Sequence, residues 1–219
     1  MKPPPFAHCR GIVFDLDDTL YDRQSALVRL FEAWWGPLTP DQWREIDLYD
    51  ARGHSIRLEF FAFLKQRYPV PDATAEALFA RYRQEFPQFI DAGPTREVLA
   101  RISQTPIGQA ILTNGSSEFQ RAKYRATRVG DFIGPERLFI SGEIGREKPD
   151  PEAFHHVCRA MGLAPGELLF VGDHPDKDIA GARALGFATC WVQKTAQEQA
   201  KADATIQALP ELLPLLGLD

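Results

Sequence analysis

The sequence has little cysteine: three residues in 219, Cys9, Cys158 and Cys190. They are isolated and odd in number and form no CxxC pair. That argues against a disulfide framework and for a reducing compartment. Positive charge is also in short supply, with 25 Lys and Arg against 30 Asp and Glu and a net charge of -5. A broad basic surface for nucleic acid is therefore not expected. No apolar run approaches the ~20 residues of a membrane span. The start, Met1-Lys2-Pro3-Pro4-Pro5, lacks the apolar region of a signal peptide, so a cytoplasmic location is the expectation. There is no internal repeat, and no low-complexity segment beyond the Pro3–Pro5 triplet. With 44% hydrophobic and 25% charged residues, the rest reads as an ordinary soluble globular chain. Its length suits one larger domain, or one domain carrying an insertion.

What is present is concentrated first in Gly11-Ile12-Val13-Phe14-Asp15-Leu16-Asp17-Asp18-Thr19-Leu20. The apolar run Ile12 to Phe14 reads as a buried strand, and it ends in three carboxylates within four residues. Asp is a poor strand residue and clustered like charges repel. At an effective dielectric of about 20, two unit charges about 4 Å apart repel by roughly 4 kcal/mol. A bound cation is the simplest offset.

Tyr21 to Phe89 is helical in character and rich in aromatic residues, with Leu27, Leu30, Phe31, Trp34 and Trp35 at helical spacing. Further helices are expected at 41–51, 56–67 and 73–86. After Asp91-Ala92-Gly93-Pro94 strands and helices alternate. Strands are expected at 109–112, 138–140, 167–172 and 188–192, with a short edge strand at 204–206. Helices are expected at 95–103, from a Ser116 cap to about 128, and at 151–161, 178–185 and 209–216. Such alternation implies parallel βαβ units. The expected fold is α/β, a doubly wound, mainly parallel Rossmann-like sheet. An all-helical cap at 21–91 interrupts a core formed by 1–20 and 92–219. In open parallel sheets ligands bind beyond the carboxyl ends of the strands.

Those ends carry Asp15, Asp17 and Asp18, then Thr113-Asn114-Gly115, then Lys148-Pro149, then Gly172-Asp173 with Asp178. In this order the four groups resemble the motifs of the haloacid dehalogenase superfamily, in its phosphatase branch. The helical insertion after the first motif resembles the cap of phosphoglycolate-phosphatase-like members. The resemblance spans residues 10 to about 192.

It implies Mg²⁺-dependent hydrolysis of a small-molecule phosphomonoester through an aspartyl-phosphate on Asp15. Asp17 would be the general acid and base, and Lys148 the cation beside phosphate and nucleophile. Thr113, the Asn114 backbone and Lys148 would bind phosphate. Asp15, the Asp17 carbonyl and Asp173 would hold the metal, and Asp178 would orient Lys148 or a water on the metal. Asp18 and Asp176 receive no chemistry, and His174 reads as a loop residue. In the cap, Arg23, Arg52, His54 and Arg57 are candidates for meeting an anionic substrate.

Competing readings are a phosphomutase, a 2-haloacid dehalogenase on the same scaffold, a phospho-acceptor receiver-like signalling domain and a binding protein that has lost catalysis. Asp17 argues against the dehalogenase, and the inserted cap against the receiver. A small-molecule phosphate ester is the expected partner, with no nucleic acid and no membrane.

Overall fold

The computed structural model describes residues 3–53, 56–72, 74–195 and 199–218. In chain order the first elements are β1 (Gly11–Phe14), α1 (Arg23–Trp35), α2 (Pro40–Asp50), α3 (Arg57–Arg67) and α4 (Ala75–Glu85). Next come α5 (Gly93–Ile102), β2 (Gly108–Thr113), α6 (Ser117–Thr127), β3 (Leu138–Ile140), α7 (Ser141–Ile144) and α8 (Pro151–Met161). The last are β4 (Leu168–Gly172), α9 (Gly181–Ala184), β5 (Ala188–Val192), β6 (Ala204–Ile206) and α10 (Leu212–Leu216). The chain divides into two units, Met1–Asp22 with Ala92–Asp219, and Arg23–Asp91.

The first unit is built on a six-stranded sheet in the order β3-β2-β1-β4-β5-β6, with every pairing parallel. The run Ile12-Val13-Phe14 is central because helices cover both faces of such a sheet, so its middle strands need apolar residues on both sides. All residues of β1 and β4 are buried. The strand order changes direction at β1: β2 and β3 lie to one side, β4 to β6 to the other. A crevice for ligands forms at such a switch point. One face packs Val13, Leu112, Phe154, Phe170 and Phe187. Gly181 lets the chain lie close there, since a Cβ would come within 3.0 Å of Pro149 and 3.1 Å of the Phe154 ring.

The short helix α7 is not expected from the sequence, and three further local details differ from the expectation. Ser116 occupies the cap position of α6, but its side chain makes no capping bond. The segment expected as one helix at 209–216 is a 3-10 turn, Leu209–Glu211, followed by α10. The helix expected at 178–185 begins earlier, as a wide π turn over Pro175–Ala180 that leads into α9. The cause is His174. Its Nδ1 accepts from the backbone N–H groups of Asp176 and Lys177, both at 3.2 Å. Its carbonyl accepts from those of Asp178 and Ile179. An imidazole cap lacks the Ser, Thr, Asp or Asn signature of a helix start.

The second unit holds α1 to α4. Thr39 and Gln42 form a reciprocal capping box at the start of α2, and Thr74 caps α4. Its aromatic residues pack on one another: Phe31 on Trp35 at 4.8 Å, Trp35 on Tyr68 at 4.5 Å and Phe61 on Phe79 at 5.0 Å between ring centres. Phe31, Phe60, Phe61 and Phe86 are fully buried, so this aromatic stripe is core. No helix among the described residues is long and apolar enough to cross a membrane.

Candidate active site

β1 ends at Phe14, but the next backbone N–H still donates to the Val171 carbonyl at 2.9 Å. Asp15 is thereby fixed at the carboxyl end of the central strand, and it is buried. Lys148, also buried, lies with Nζ 2.5 Å from Asp15 Oδ1 and 2.7 Å from Asp178 Oδ1. Asp173, which follows β4, completes the group: Asp15, Asp173 and Asp178 bring carboxylate oxygens within 4.8 Å of one another. Asp178 is held in turn by the His174 backbone N–H at 3.1 Å. Gly172 makes room for it, because a Cβ there would overlap the Asp178 carboxylate.

Burial pushes the Asp15 carboxyl up. Lys148 opposes the shift, Asp178 and Asp17 add to it, and the value rises to about 7. For Lys148 burial works against the charge, but Asp15 and Asp178 outweigh it and hold the ammonium above the ordinary lysine range. One ammonium thus faces three carboxylates, and the group is short of positive charge. Three clustered oxygen donors with that deficit suit a small, hard divalent cation.

Asp17 faces elsewhere. Its Oδ1 and Oδ2 are each 2.8 Å from Lys123 Nζ, and Oδ2 accepts from Gln120 Nε2 at 3.1 Å. The Tyr21 hydroxyl donates to Oδ1. Gln120 Nε2 also lies 2.5 Å from Thr113 Oγ1 and 2.9 Å from the Asn114 carbonyl, which links Asp17 to the end of β2. The Asn114 side chain is tied to the backbone of Lys148, donating to its carbonyl and accepting from its N–H, both at 2.8 Å. Gly115 has φ 142 and donates its N–H to Ser141 Oγ at 2.9 Å. Asp18 is buried with φ 57, a left-handed turn conformation that Asp tolerates.

Thus Asp15, Lys148, Asp173 and Asp178 are brought together, and Asp17, Thr113 and Asn114 are joined through Gln120. Sequence reasoning missed Gln120, Lys123 and Tyr21. The available signal was the three-residue spacing of Gln120 and Lys123, which sets both on one face of α6.

Of the candidates between 21 and 91, Arg23 and Arg57 meet on a fully buried carboxylate, Asp50. Arg23 is bidentate, at 2.7 and 3.1 Å, and Arg57 Nη1 donates to Oδ1 at 3.0 Å. The Gly53 N–H donates to Oδ2 at 2.8 Å. Burial raises the Asp50 pKa, but Arg23 and then Arg57 outweigh it and hold the carboxyl below its ordinary range. The Arg52 side chain and all of His54 lie outside the described residues.

A family model described as haloacid dehalogenase-like hydrolase matches residues 9–186. The phosphoserine phosphatase of Thermus thermophilus is 34% identical over 162 residues, which cover 74% of this chain and 57% of that protein. The HAD-hydrolase YfnB of Bacillus subtilis is 31% identical over 201 residues, 84% of this chain and 83% of that protein. Its magnesium-bound crystal structure aligns with a TM-score of 0.76, at 25% identity over 96% of this chain and 99% of that one. The L-2-haloacid dehalogenase of Xanthobacter autotrophicus, with chloropropionic acid covalently bound, shares the fold with a TM-score of 0.71, at 20% identity over 95% of this chain and 98% of that one. From strand order, acidic strand ends and a match over most of its length, this chain belongs to the haloacid dehalogenase-like hydrolase family.

Proposed function

We propose that the chain is a Mg²⁺-dependent hydrolase of a small-molecule phosphomonoester, working through an aspartyl-phosphate on Asp15. The observation that carries this reading is the buried group at the end of β1, where Asp15 lies 2.5 Å from Lys148 within a trio of carboxylates. The phosphatase name of the Thermus relative supports the reaction class. The presence of Asp17 two residues after Asp15 supports a phosphoester over a haloacid substrate, because displacement of halide needs no proton donor.

In the proposed reaction Asp15 attacks phosphorus, and the bond to the leaving oxygen breaks in line. The phosphoryl group passes to the Asp15 carboxylate. Asp17 gives its proton to the leaving oxygen and is left as a carboxylate. It then takes a proton from the water that attacks phosphorus, the Asp15–phosphoryl bond breaks, and inorganic phosphate and free Asp15 result. Thr113, Asn114 and Lys148 hold phosphate oxygens, and the Lys148 ammonium offsets their charge. Asp15, the Asp17 carbonyl and Asp173 would hold Mg²⁺, with Asp178 positioning Lys148. When bound, the ion supplies the positive charge that lets an anionic nucleophile approach an anionic ester. Residues 21–91 are assigned the role of a cap that selects the substrate.

The test is a panel of phosphomonoesters assayed with Mg²⁺ for kcat/KM, with 2-chloropropionate as a haloacid control. Phosphate release that Asp15→Asn abolishes and EDTA suppresses reversibly is the expected result. Activity retained in Asp15→Asn, or halide release without phosphate release, overturns the reading.

A further inference from the structure

Lys123 is buried, and the reaction just described does not use it. Its side chain is 7% exposed, with Nζ 2.8 Å from Asp17 Oδ1 and 4.4 Å from the centre of the Phe119 ring. Taking an ammonium out of water costs several kcal/mol, and a close counter-charge must offset that. α6 has a solvent face where a lysine would incur no such cost. Gln120, three residues earlier, is equally buried. Its amide nitrogen has two N–H groups and three oxygen neighbours: Asp17 Oδ2, Thr113 Oγ1 and the Asn114 carbonyl. It must share them, and so it binds the Asp17 carboxylate to the end of β2. Tyr21 approaches the same carboxylate from the other direction along the chain.

We propose that Lys123 and Gln120 are positioning residues for the proton transfers made by Asp17. They fix its carboxylate against the Thr113–Asn114 strand end, where the phosphoryl group would sit. The inference rests on the reading of Asp17 as general acid and base. An aspartate side chain has two rotatable bonds, and a free one samples several positions. Proton transfer needs the oxygen within hydrogen-bond reach of the reacting atom, and a displacement of about 1 Å can cost on the order of a hundredfold in rate. Lys123 fixes both oxygens at once, and Gln120 sets their distance from Thr113.

A leaving-group comparison separates positioning from a merely structural role. Nitrophenolate departs without a proton, whereas an alkoxide needs one. kcat/KM, which covers the steps up to departure of the leaving group, is measured with Mg²⁺ for an alkyl phosphomonoester and for p-nitrophenyl phosphate. The proteins are the unsubstituted chain, Lys123→Met, Lys123→Arg and Asp17→Asn. Lys123→Met is expected to lower the alkyl value by about 10- to 100-fold, and the nitrophenyl value by at least about tenfold less. Lys123→Arg is expected to restore part of the alkyl value. Equal losses on both esters, or no loss on the alkyl ester, overturn the inference. Asp17→Asn identifies which idea failed. If it discriminates between the esters and Lys123→Met does not, only the positioning role falls. If it does not discriminate, the reading of Asp17 falls and the positioning role falls with it. Gln120→Met, judged by the same ratio, decides the matter should Lys123→Met fail to fold.

Discussion

Replacing Asp50 by Asn tests whether the arginines at 23 and 57 serve the structure. The substitution keeps the shape and removes the charge. Asp50 has no exposed surface and accepts from two guanidinium groups and one backbone N–H. In Asp50→Asn one acceptor becomes an NH₂ that points at other donors. Removing one partner of a buried ion pair costs about 3–5 kcal/mol, mostly for the charge left behind. The two arginines do not contribute equally. The Arg23 side chain is 6% exposed and loses its counter-charge in a dry setting, whereas that of Arg57 is 26% exposed and stays partly hydrated. The low end, about 3 kcal/mol, is therefore expected. In a unit of 60–100 residues that lowers Tm by about 12–24 °C.

Tryptophan fluorescence reports on this unit selectively, since Trp34, Trp35 and Trp43 lie in Arg23–Asp91 and only Trp191 lies outside it. The pH dependence follows from the sign of the shift. The Asp50 carboxyl is held below its ordinary value, so the unfolded chain takes up the proton first as pH falls. The stability it contributes is full above the unfolded pKa of about 3.9 and is lost as pH falls through the lower folded value. The gap between wild type and Asp50→Asn is therefore constant from pH 7 to about 5 and closes below about 4. A fall in Tm under about 4 °C at pH 7, or a gap that widens in acid, refutes the reasoning.

Two further outcomes bear on the core. On the proposed reading, Mg²⁺ at about a hundred times its Kd is expected to add about 2.7 kcal/mol to the folded state, a rise in Tm of about 5–10 °C for a chain of this size. Asp173→Asn is expected to remove most of that rise in a thermal melt, and an undiminished rise locates the ion elsewhere. Gly172→Ala would force its methyl into the Asp178 carboxylate and displace it from Lys148. We expect a loss of kcat/KM on the order of a hundredfold, with a destabilisation of only about 1–3 kcal/mol. Activity within about threefold of wild type would show that the exact placement of Asp178 is unimportant.

The strands were legible because each is a short apolar run closed by turn residues, and β1 with its acidic end stood out because nothing in folding favours carboxylates there. Asp15 was legible with β1 itself, whereas Lys148, Asp173 and Asp178 were legible only through the order of motifs that resembles the family, since a lone Lys-Pro or Gly-Asp reads as an ordinary loop. Their neighbours were not. Gln120, Lys123 and Asp50 are ordinary residues on amphipathic helices, and whether such a side chain is buried depends on which face turns inward, which tertiary packing decides. Arg23 and Arg57 read as free cations because their shared partner, Asp50, sits 27 residues from one and seven from the other. His174 escaped notice as a helix cap because imidazole caps are uncommon.

The order of the sheet also governs how the protein is made. β1 leaves the ribosome first among the strands, yet it pairs with β2 only after the whole of Arg23–Asp91 has been synthesised, and with β4 later still. At about 5–20 residues per second, the roughly 150 residues between Gly11 and Leu168 take on the order of ten to thirty seconds. Ile12-Val13-Phe14 has neither neighbour until β2 emerges, and only that one until β4 follows. The aromatic pairs described for the helical unit join residues synthesised before β2, so they can meet while β1 waits. In a growing chain the central strand is thus the segment most in need of shielding, and conditions that slow synthesis after Asp91 lengthen its exposure.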